Sequence, residues 1–313
     1  MKRFLLFPTL ILALAFSCEK PASGGTDNND GNTDGGQTPP AKEVLDTLNL
    51  ATFNIRYATS EDTGVKSWAS RKSSVIASVK DNDFDVVGFQ EVLANQQNDL
   101  KNALTDYAFY FVGRDDGTNG EAVGIAYRTS RLTPLDYGRF WLSPTPDVPS
   151  NAKDWGGPSR KRIAVWFKFK DLKTGKQFYY MSTHLEVGEE YINVREKSAE
   201  LIIAREKSIN TKELPFIVVG DMNPIAPTEV PLRKLREVFS DTFQEADKEG
   251  LREGPIGTYN GFNPDANMES QGKRGDYIFA KGDYDLKRFK VIDTKFSGQY
   301  PSDHLPVMIT VTF

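Results

Sequence analysis

Both histidines of this 313-residue chain lie in short polar runs, Ser182-Thr183-His184-Leu185-Glu186 and Ser302-Asp303-His304-Leu305-Pro306. Imidazole is the side chain suited to moving protons near neutral pH, so such placement points to an enzyme with a two-imidazole site. Either histidine alone could equally be a core residue satisfied by one hydrogen bond. Their neighbours argue against that for the pair. Other polar clusters close apolar runs in the same way: Asn54 in Thr52-Phe53-Asn54-Ile55-Arg56, Glu91 in Gly88-Phe89-Gln90-Glu91-Val92, Asp221 and Asn223 in Gly220-Asp221-Met222-Asn223-Pro224, and Asp276 in Arg274-Gly275-Asp276-Tyr277. Each fragment alone is weak, because an acid after a strand is often a helix N-cap and Asp-x-Asn a turn. Their order along one chain is what carries information.

The elements that must position these residues follow from periodicity. Alternating and β-branched runs predict strands over 48–57, 85–90, 109–112, 123–127, 163–170, 177–182, 216–219, 275–280 and 307–312. Trp68, Val75, Ile76 and Val79 recur at helical spacing with Lys and Arg opposite, and 92–104 and 190–209 read as further helices. Strands arriving partly in runs and partly between helices imply a mixed sheet architecture covered by helices. No internal repeat or second linker interrupts the folded part.

Residues 1–18 read as an export signal, with Lys2 and Arg3 before an apolar stretch shorter than the ~20 residues of a membrane span. Cys18 is the only cysteine, which excludes an intrachain disulfide, and its place after the apolar run resembles a bacterial lipidation site. Residues 19–43, rich in Gly, Asn, Asp, Thr and Pro, are expected to form a flexible tether, leaving 44–313 as one folded domain. The expected location is extracytoplasmic, with the chain held to the outer membrane by its lipid. A monomer is expected. A net charge of −4 argues against a broad nucleic-acid footprint, which needs clustered Lys and Arg.

The set Asn54, Glu91, His184, Asp221-x-Asn223, Asp276 and Asp303-His304 resembles the endonuclease/exonuclease/phosphatase superfamily, which includes deoxyribonuclease I. Val123-Gly124-Ile125-Ala126-Tyr127-Arg128 and Phe140-Trp141-Leu142-Ser143 are similar to its secreted bacterial branch. The resemblance covers residues 48–313. It implies an α/β fold, a four-layer sandwich of two mixed β-sheets flanked by helices, and hydrolysis of phosphoesters with Mg²⁺ or Mn²⁺. In that scheme Glu91, Asn54 and Asp303 serve the metal, their oxygens suiting a hard cation. His304 is the general base and Asp276 fixes its tautomer. Asp221 orients the attacking water, Asn223 and His184 bind phosphate oxygens, and His184 protonates the leaving group. A general acid or base is worth about 10²–10⁴ in rate, roughly 3–5 kcal/mol. The chain departs from the pattern Asn-Thr-His-Leu-Asp-His at Ser182, Glu186 and Val187. It also carries Gly275 where an apolar residue is usual.

Some residues admit plainer readings. Arg160 and Arg162 could grip a phosphate, though a solvated surface is the favoured expectation. Arg195 reads as part of a solvated helix face. Trp68, Trp141 and Trp155 read as core, and Arg114-Asp115-Asp116-Gly117 as a turn. Three functions stay open: hydrolysis of a small phosphoester or phospholipid head group, a secreted nuclease whose only nucleic-acid partner is its substrate, or an inactive binding lipoprotein. The last requires loss of Glu91, Asp221 or His304, and all three are present.

Overall fold

Strict alternation of side chains along the strands decides the layering. In the computed structural model, which describes residues 46–313, the chain runs β1 (Leu48–Asn54), α1 (Trp68–Asp81), β2 (Val86–Val92), α2 (Ala94–Ala103), β3 (Tyr107–Gly113), β4 (Ala122–Arg128), β5 (Leu132–Trp141), β6 (Ile163–Asp171), β7 (Gln177–His184), α3 (Ile192–Ile209), β8 (Phe216–Asp221), α4 (Val230–Arg236), β9 (Ser240–Asp241), α5 (Thr242–Glu249), β10 (Arg252–Glu253), β11 (Asp276–Lys281), β12 (Asp285–Val291) and β13 (Val307–Thr312). The expected signal segment, Cys18 and the tether lie outside the described residues.

One sheet has the order β10-β12-β13-β1-β2-β4-β3 and the other β5-β6-β7-β8-β11-β9. Leu50, Val86, Tyr180, Val219 and Ile278 point between the sheets. Their neighbours Ala51 and Val87 face α1 and α2, while Met181, Val218 and Tyr277 face α3 and α4. Helices, sheet, sheet, helices is the four-layer α/β sandwich that the resemblance implied. Both sheets are mixed, since β1–β2 and β7–β8 are parallel pairs among antiparallel ones. Among the described residues no helix is long and apolar enough to cross a membrane.

Strands β5 and β12 and helices α4 and α5 went unpredicted, for local reasons. β5 is a half-exposed edge strand containing Pro134 and Gly138, residues that weaken a strand signal but are tolerated at an edge. In β12 the register slips between Leu286 and Arg288, so its apolar residues lose period two. α4 and α5 are only 7 and 8 residues long, too short to display periodicity. β1 stops at Asn54 rather than Tyr57 because Arg56 adopts φ 56°, outside the extended region.

The parallel pairs bring the carboxyl ends of β1, β2, β7 and β8 to one edge of the sandwich. There the two sheets are stitched by polar groups. The Tyr180 hydroxyl accepts from Gly88 N at 2.9 Å and donates to Ala51 O, and Gln90 Nε2 donates to Ser182 Oγ at 3.1 Å. Gly88 permits this approach: a Cβ there would lie 2.7 Å from Ser182 Oγ. Ser182 is therefore fully buried in the seam between sheets and not in a phosphate pocket, which explains the small residue at this departure from the family pattern.

Candidate active site

A cavity of about 570 Å³ opens at this edge, lined by Glu91, His184, Asp221, Asn223, Asp303 and His304 among others. Strand register assembles its floor. His184 pairs with Asp221 across β7–β8, and Asp276 pairs with Asp221 across β8–β11. The segment before β13 delivers Asp303 and His304. It is fixed by Ser302 Oγ donating to Asn54 O at 2.8 Å, Asn260 N to Asp303 O at 2.8 Å and Leu305 N to Thr258 O at 2.7 Å.

Asp221 is the hub. Its Oδ2 lies 3.5 Å from His184 Nε2, 3.7 Å from His304 Nε2 and 3.1 Å from Asn54 Nδ2. On its other side His304 Nδ1 meets Asp276 Oδ2 at 2.8 Å, and that oxygen accepts from Thr258 Oγ1 at 2.6 Å. An imidazole held at Nδ1 by a carboxylate presents Nε2 to the cavity in a defined tautomer. Gly275 is not demanded by space, because a Cβ there would stand at ordinary contact distances, 3.4 Å from Asp221 Oδ1 and 3.6 Å from His304 Cε1.

The protonation states diverge sharply. Burial pulls the His304 pKa down, but the charges of Asp276 and Asp221 outweigh it and hold it well above the ordinary histidine value. His184 goes the other way: burial and then the guanidinium charges of Arg162 and Arg114 push it well below. His184 is therefore neutral in this arrangement. Burial lifts Asp221 to about 7, with Asp276 and Glu91 adding to the rise. Asp303 is raised too, by burial and by Glu91.

Several carboxylates that repel one another at close quarters suit a hard divalent cation. Glu91 and Asp303 have this character. Glu91, Glu121 and His184 also each offer one ligand atom within 4.8 Å of the others. Asn54 stands between Glu91 and Asp221. Its oxygen accepts from Arg56 N at 3.0 Å, while its Nδ2 donates to Glu91 Oε1 at 3.1 Å as well as to Asp221. It braces the two carboxylates. Asn223 sits in a left-handed turn (φ 46°), its Nδ2 donating to Leu185 O at 3.0 Å.

Arg162 is buried rather than solvated surface, whereas Arg160 is exposed as expected. Both converge on the buried carboxylate of Glu186 and line the cavity. Arg195 is not on a solvated face either. It is fully buried, grips Glu229 with Nη2–Oε1 at 3.0 Å, and its Nη1 donates to Glu186 O at 3.0 Å and Gly188 O at 2.6 Å. Its position four residues before Ala199 and seven before Ile202 puts it on the buried helix face, a signal present in the spacing. Arg56, Arg114, Glu121, Tyr259 and Lys273 also line the cavity and were not singled out as site residues. Trp68 and Trp141 are core as expected, whereas Trp155 is only partly buried. Residues 114–117 form a turn, capped by the Asp116 carboxylate.

Two face-to-face mixed sheets with an Asp–His pair and a carboxylate cluster at one edge define a phosphoester hydrolase of deoxyribonuclease I-like architecture. The chain belongs to the Endonuclease/Exonuclease/phosphatase family, whose profile it matches over residues 51–304. A mannosyl-6-phosphatase of Bacteroides thetaiotaomicron is 33% identical, with a TM-score of 0.76 over 85% of this chain and 100% of that one. A family member from Bacteroides vulgatus is 34% identical, with a TM-score of 0.76 over 85% and 98%. An uncharacterized protein of Acanthamoeba polyphaga mimivirus is 25% identical over 256 residues, 78% of this chain and 92% of its own length.

Proposed function

We propose that this protein is a divalent-metal-dependent phosphoesterase acting outside the cytoplasm on small phosphoesters, with sugar phosphates the first class to test. The observation that carries the reading is Asp276–His304 at 2.8 Å with His304 Nε2 beside Asp221, a base held in one tautomer next to a carboxylate that can orient water. The mannosyl-6-phosphatase, similar over its entire length, supports the choice of sugar phosphates. A nuclease is less well supported, since Arg56 and Arg114 are each matched by a carboxylate and Arg160 and Arg162 share one, which among the described residues leaves at the mouth too few free cations for an extended nucleic-acid track.

In this mechanism Glu91 and Asp303 would hold Mg²⁺ or Mn²⁺, and the cation would supply charge neutralisation on the phosphoryl and leaving oxygens. The chain's own residues do the rest. Asp221 and His304 hold the water between them; as its oxygen bonds to phosphorus and the ester P–O bond breaks, His304 accepts its proton at Nε2, Asp276 stabilises the imidazolium at Nδ1, and the leaving oxygen takes a proton from solvent water. Neutral His184 and the Asn223 amide donate hydrogen bonds to phosphate oxygens. Positioning and charge stabilisation are the main terms expected for phosphoryl transfer.

The test is hydrolysis of p-nitrophenyl phosphate and bis(p-nitrophenyl) phosphate by the full chain, with Mg²⁺ or with EDTA, beside His304→Ala. Turnover should require the metal and fall by about 10²–10⁴ in the variant. Activity indifferent to EDTA or to the substitution would refute the assignment, and the preferred ester separates monoesterase from diesterase. The membrane anchor rests on Cys18: wild type should partition into the detergent phase of Triton X-114. Equal partitioning of Cys18→Ser would remove that part of the proposal.

A further inference from the structure

The cavity wall next to His184 has an imbalance of charge. Arg160 and Arg162 share one carboxylate. Arg160 Nε reaches Glu186 Oε1 at 2.6 Å, and Arg162 Nη2 reaches the same oxygen at 3.3 Å. Glu186 is buried and cannot satisfy both cations, so the pair carries an excess of one positive charge. Burial alone would raise the Glu186 pKa, yet Arg162 and Arg160 hold it below the usual value, so the carboxylate stays ionised and the imbalance is fixed. Neighbouring Arg114 is matched one to one by Glu121, Nη2–Oε1 at 2.7 Å, and Glu91, the remaining acid on this wall, accepts from Asn54 Nδ2 and Tyr57 N and is the carboxylate assigned to the cation.

The donor inventory shows where the excess is directed. A guanidinium has five N–H groups. Arg160 uses Nε on Glu186 and Nη2 on Glu186 and on Val187 O. Arg162 uses Nε and Nη2 on Glu186. Among the described residues neither Nη1 has a protein partner, and that of Arg162 is not sealed from solvent. Arg162 nonetheless belongs to a side chain only 8% exposed that lines the cavity. A nearly buried cation with spare donors facing a cavity is poised for an anion, because guanidinium forks bind carboxylate and phosphate oxygens in pairs.

We infer that Arg160 and Arg162 form a second anion subsite, so that the preferred substrate carries another anionic group, a phosphate or a carboxylate, besides the phosphoester that is cleaved. The inference rests on the phosphoesterase reading for its substrate but not for its binding. Glu186 has a defined part in it. It preorganises both guanidiniums, and it limits their charge so that an arriving anion meets one excess positive charge rather than two.

The experiment compares glucose 6-phosphate with glucose 1,6-bisphosphate and 6-phosphogluconate, which add a phosphate or a carboxylate at the far end. Values of kcat/KM are measured on the full chain with Mg²⁺, and dissociation constants by calorimetry on His304→Ala with Mg²⁺. At least one doubly anionic ligand should be preferred by about tenfold or more, mainly through KM, and the better of the two identifies the second group. Arg160→Gln should bring the preference to within about twofold of none. Glu186→Gln, which leaves both guanidiniums uncompensated, should increase it. Absence of preference in the wild type, or a preference unchanged in Arg160→Gln, overturns the subsite even if hydrolysis proceeds. Conversely, a calorimetric preference that collapses in Arg160→Gln without any turnover upholds the subsite and overturns the phosphoesterase.

Discussion

Asp276 and His304 show how two atoms can set a pH dependence. The base must be neutral to accept a proton, and its pKa is held above the ordinary histidine value chiefly by Asp276 and Asp221 against the pull of burial. The rate should therefore rise with pH along a limb lying above 6.5. Asp276→Asn removes the nearer negative charge, so that limb should move to lower pH while kcat falls, the amide no longer stabilising the imidazolium. Rate against pH for both proteins is the check. A limb that stays in place in Asp276→Asn would mean that His304 is not the titrating base. His184 makes the contrast plain: it is the same residue type, but burial, reinforced by the charges of Arg162 and Arg114, keeps it neutral although Asp221 lies 3.5 Å away.

At the scale of elements, the loops after β7 and β8 depend on one arginine of α3. Arg195 binds the Glu186 and Gly188 carbonyls and the Glu229 carboxylate, and Glu229 Oε1 in turn accepts from Ile225 N at 2.8 Å. The segment carrying His184 and Glu186 is thereby tied to the segment carrying Asp221 and Asn223. Arg195→Met should cost about 3–5 kcal/mol, because Glu229 is left as a buried unpaired charge. Urea denaturation measures this, and a loss below 1 kcal/mol would show that the tie is weak. The double variant Arg195→Met/Glu229→Leu should regain much of the stability, since replacing a buried pair by apolar groups is often near neutral. Arg71 makes an analogous tie from α1. It is almost completely buried and donates to the carbonyls of Ile55, Arg56 and Pro301, joining the turn after β1 to the Asp303–His304 segment.

For the whole molecule, the carboxylate-rich edge links stability to pH and metal. Asp221 is raised by burial to about 7 against an ordinary value of 3.8. The folded state therefore holds its proton to higher pH than the unfolded chain, and stability falls as pH climbs toward and through 7. His304, also raised, contributes stability that is full below 6.5 and is lost as pH passes its folded value. His184 opposes both, but only below its ordinary value of 6.5, where the unfolded imidazole gains a proton that the folded one refuses. Above pH 6.5 the first two groups act without that opposition. The melting temperature in EDTA should therefore drop between pH 6.5 and 8.5. Mg²⁺ should restore more at the upper end, and Asp221→Asn should flatten the slope. A flat melting curve for the wild type in EDTA would contradict this linkage.

The sequence by itself determined the layered α/β class and most strands, because an inner and an outer face on each strand require period two, as in Leu50 against Ala51 or Val218 against Val219. It also determined the order Asn54, Glu91, His184, Asp221, Asp276, His304, since polar residues that end apolar strands are where a cavity can form. It was silent on β12, where a register slip erases the period, and on α4 and α5, whose few turns show none. Only the tertiary structure decided what each polar group faces. Arg160 and Arg162 are at i and i+2 on a strand approach, a spacing common on surfaces, and only the return of β7 brings Glu186 between them. Asn54 turned its nitrogen toward two carboxylates because Arg56 N had taken its oxygen. Burial favours the neutral form of both histidines, and they diverge because the charges of Asp276 and Asp221 override it at His304 while Arg162 and Arg114 add to it at His184. Those are consequences of chain return, and local patterning carries no record of which distant charge will arrive.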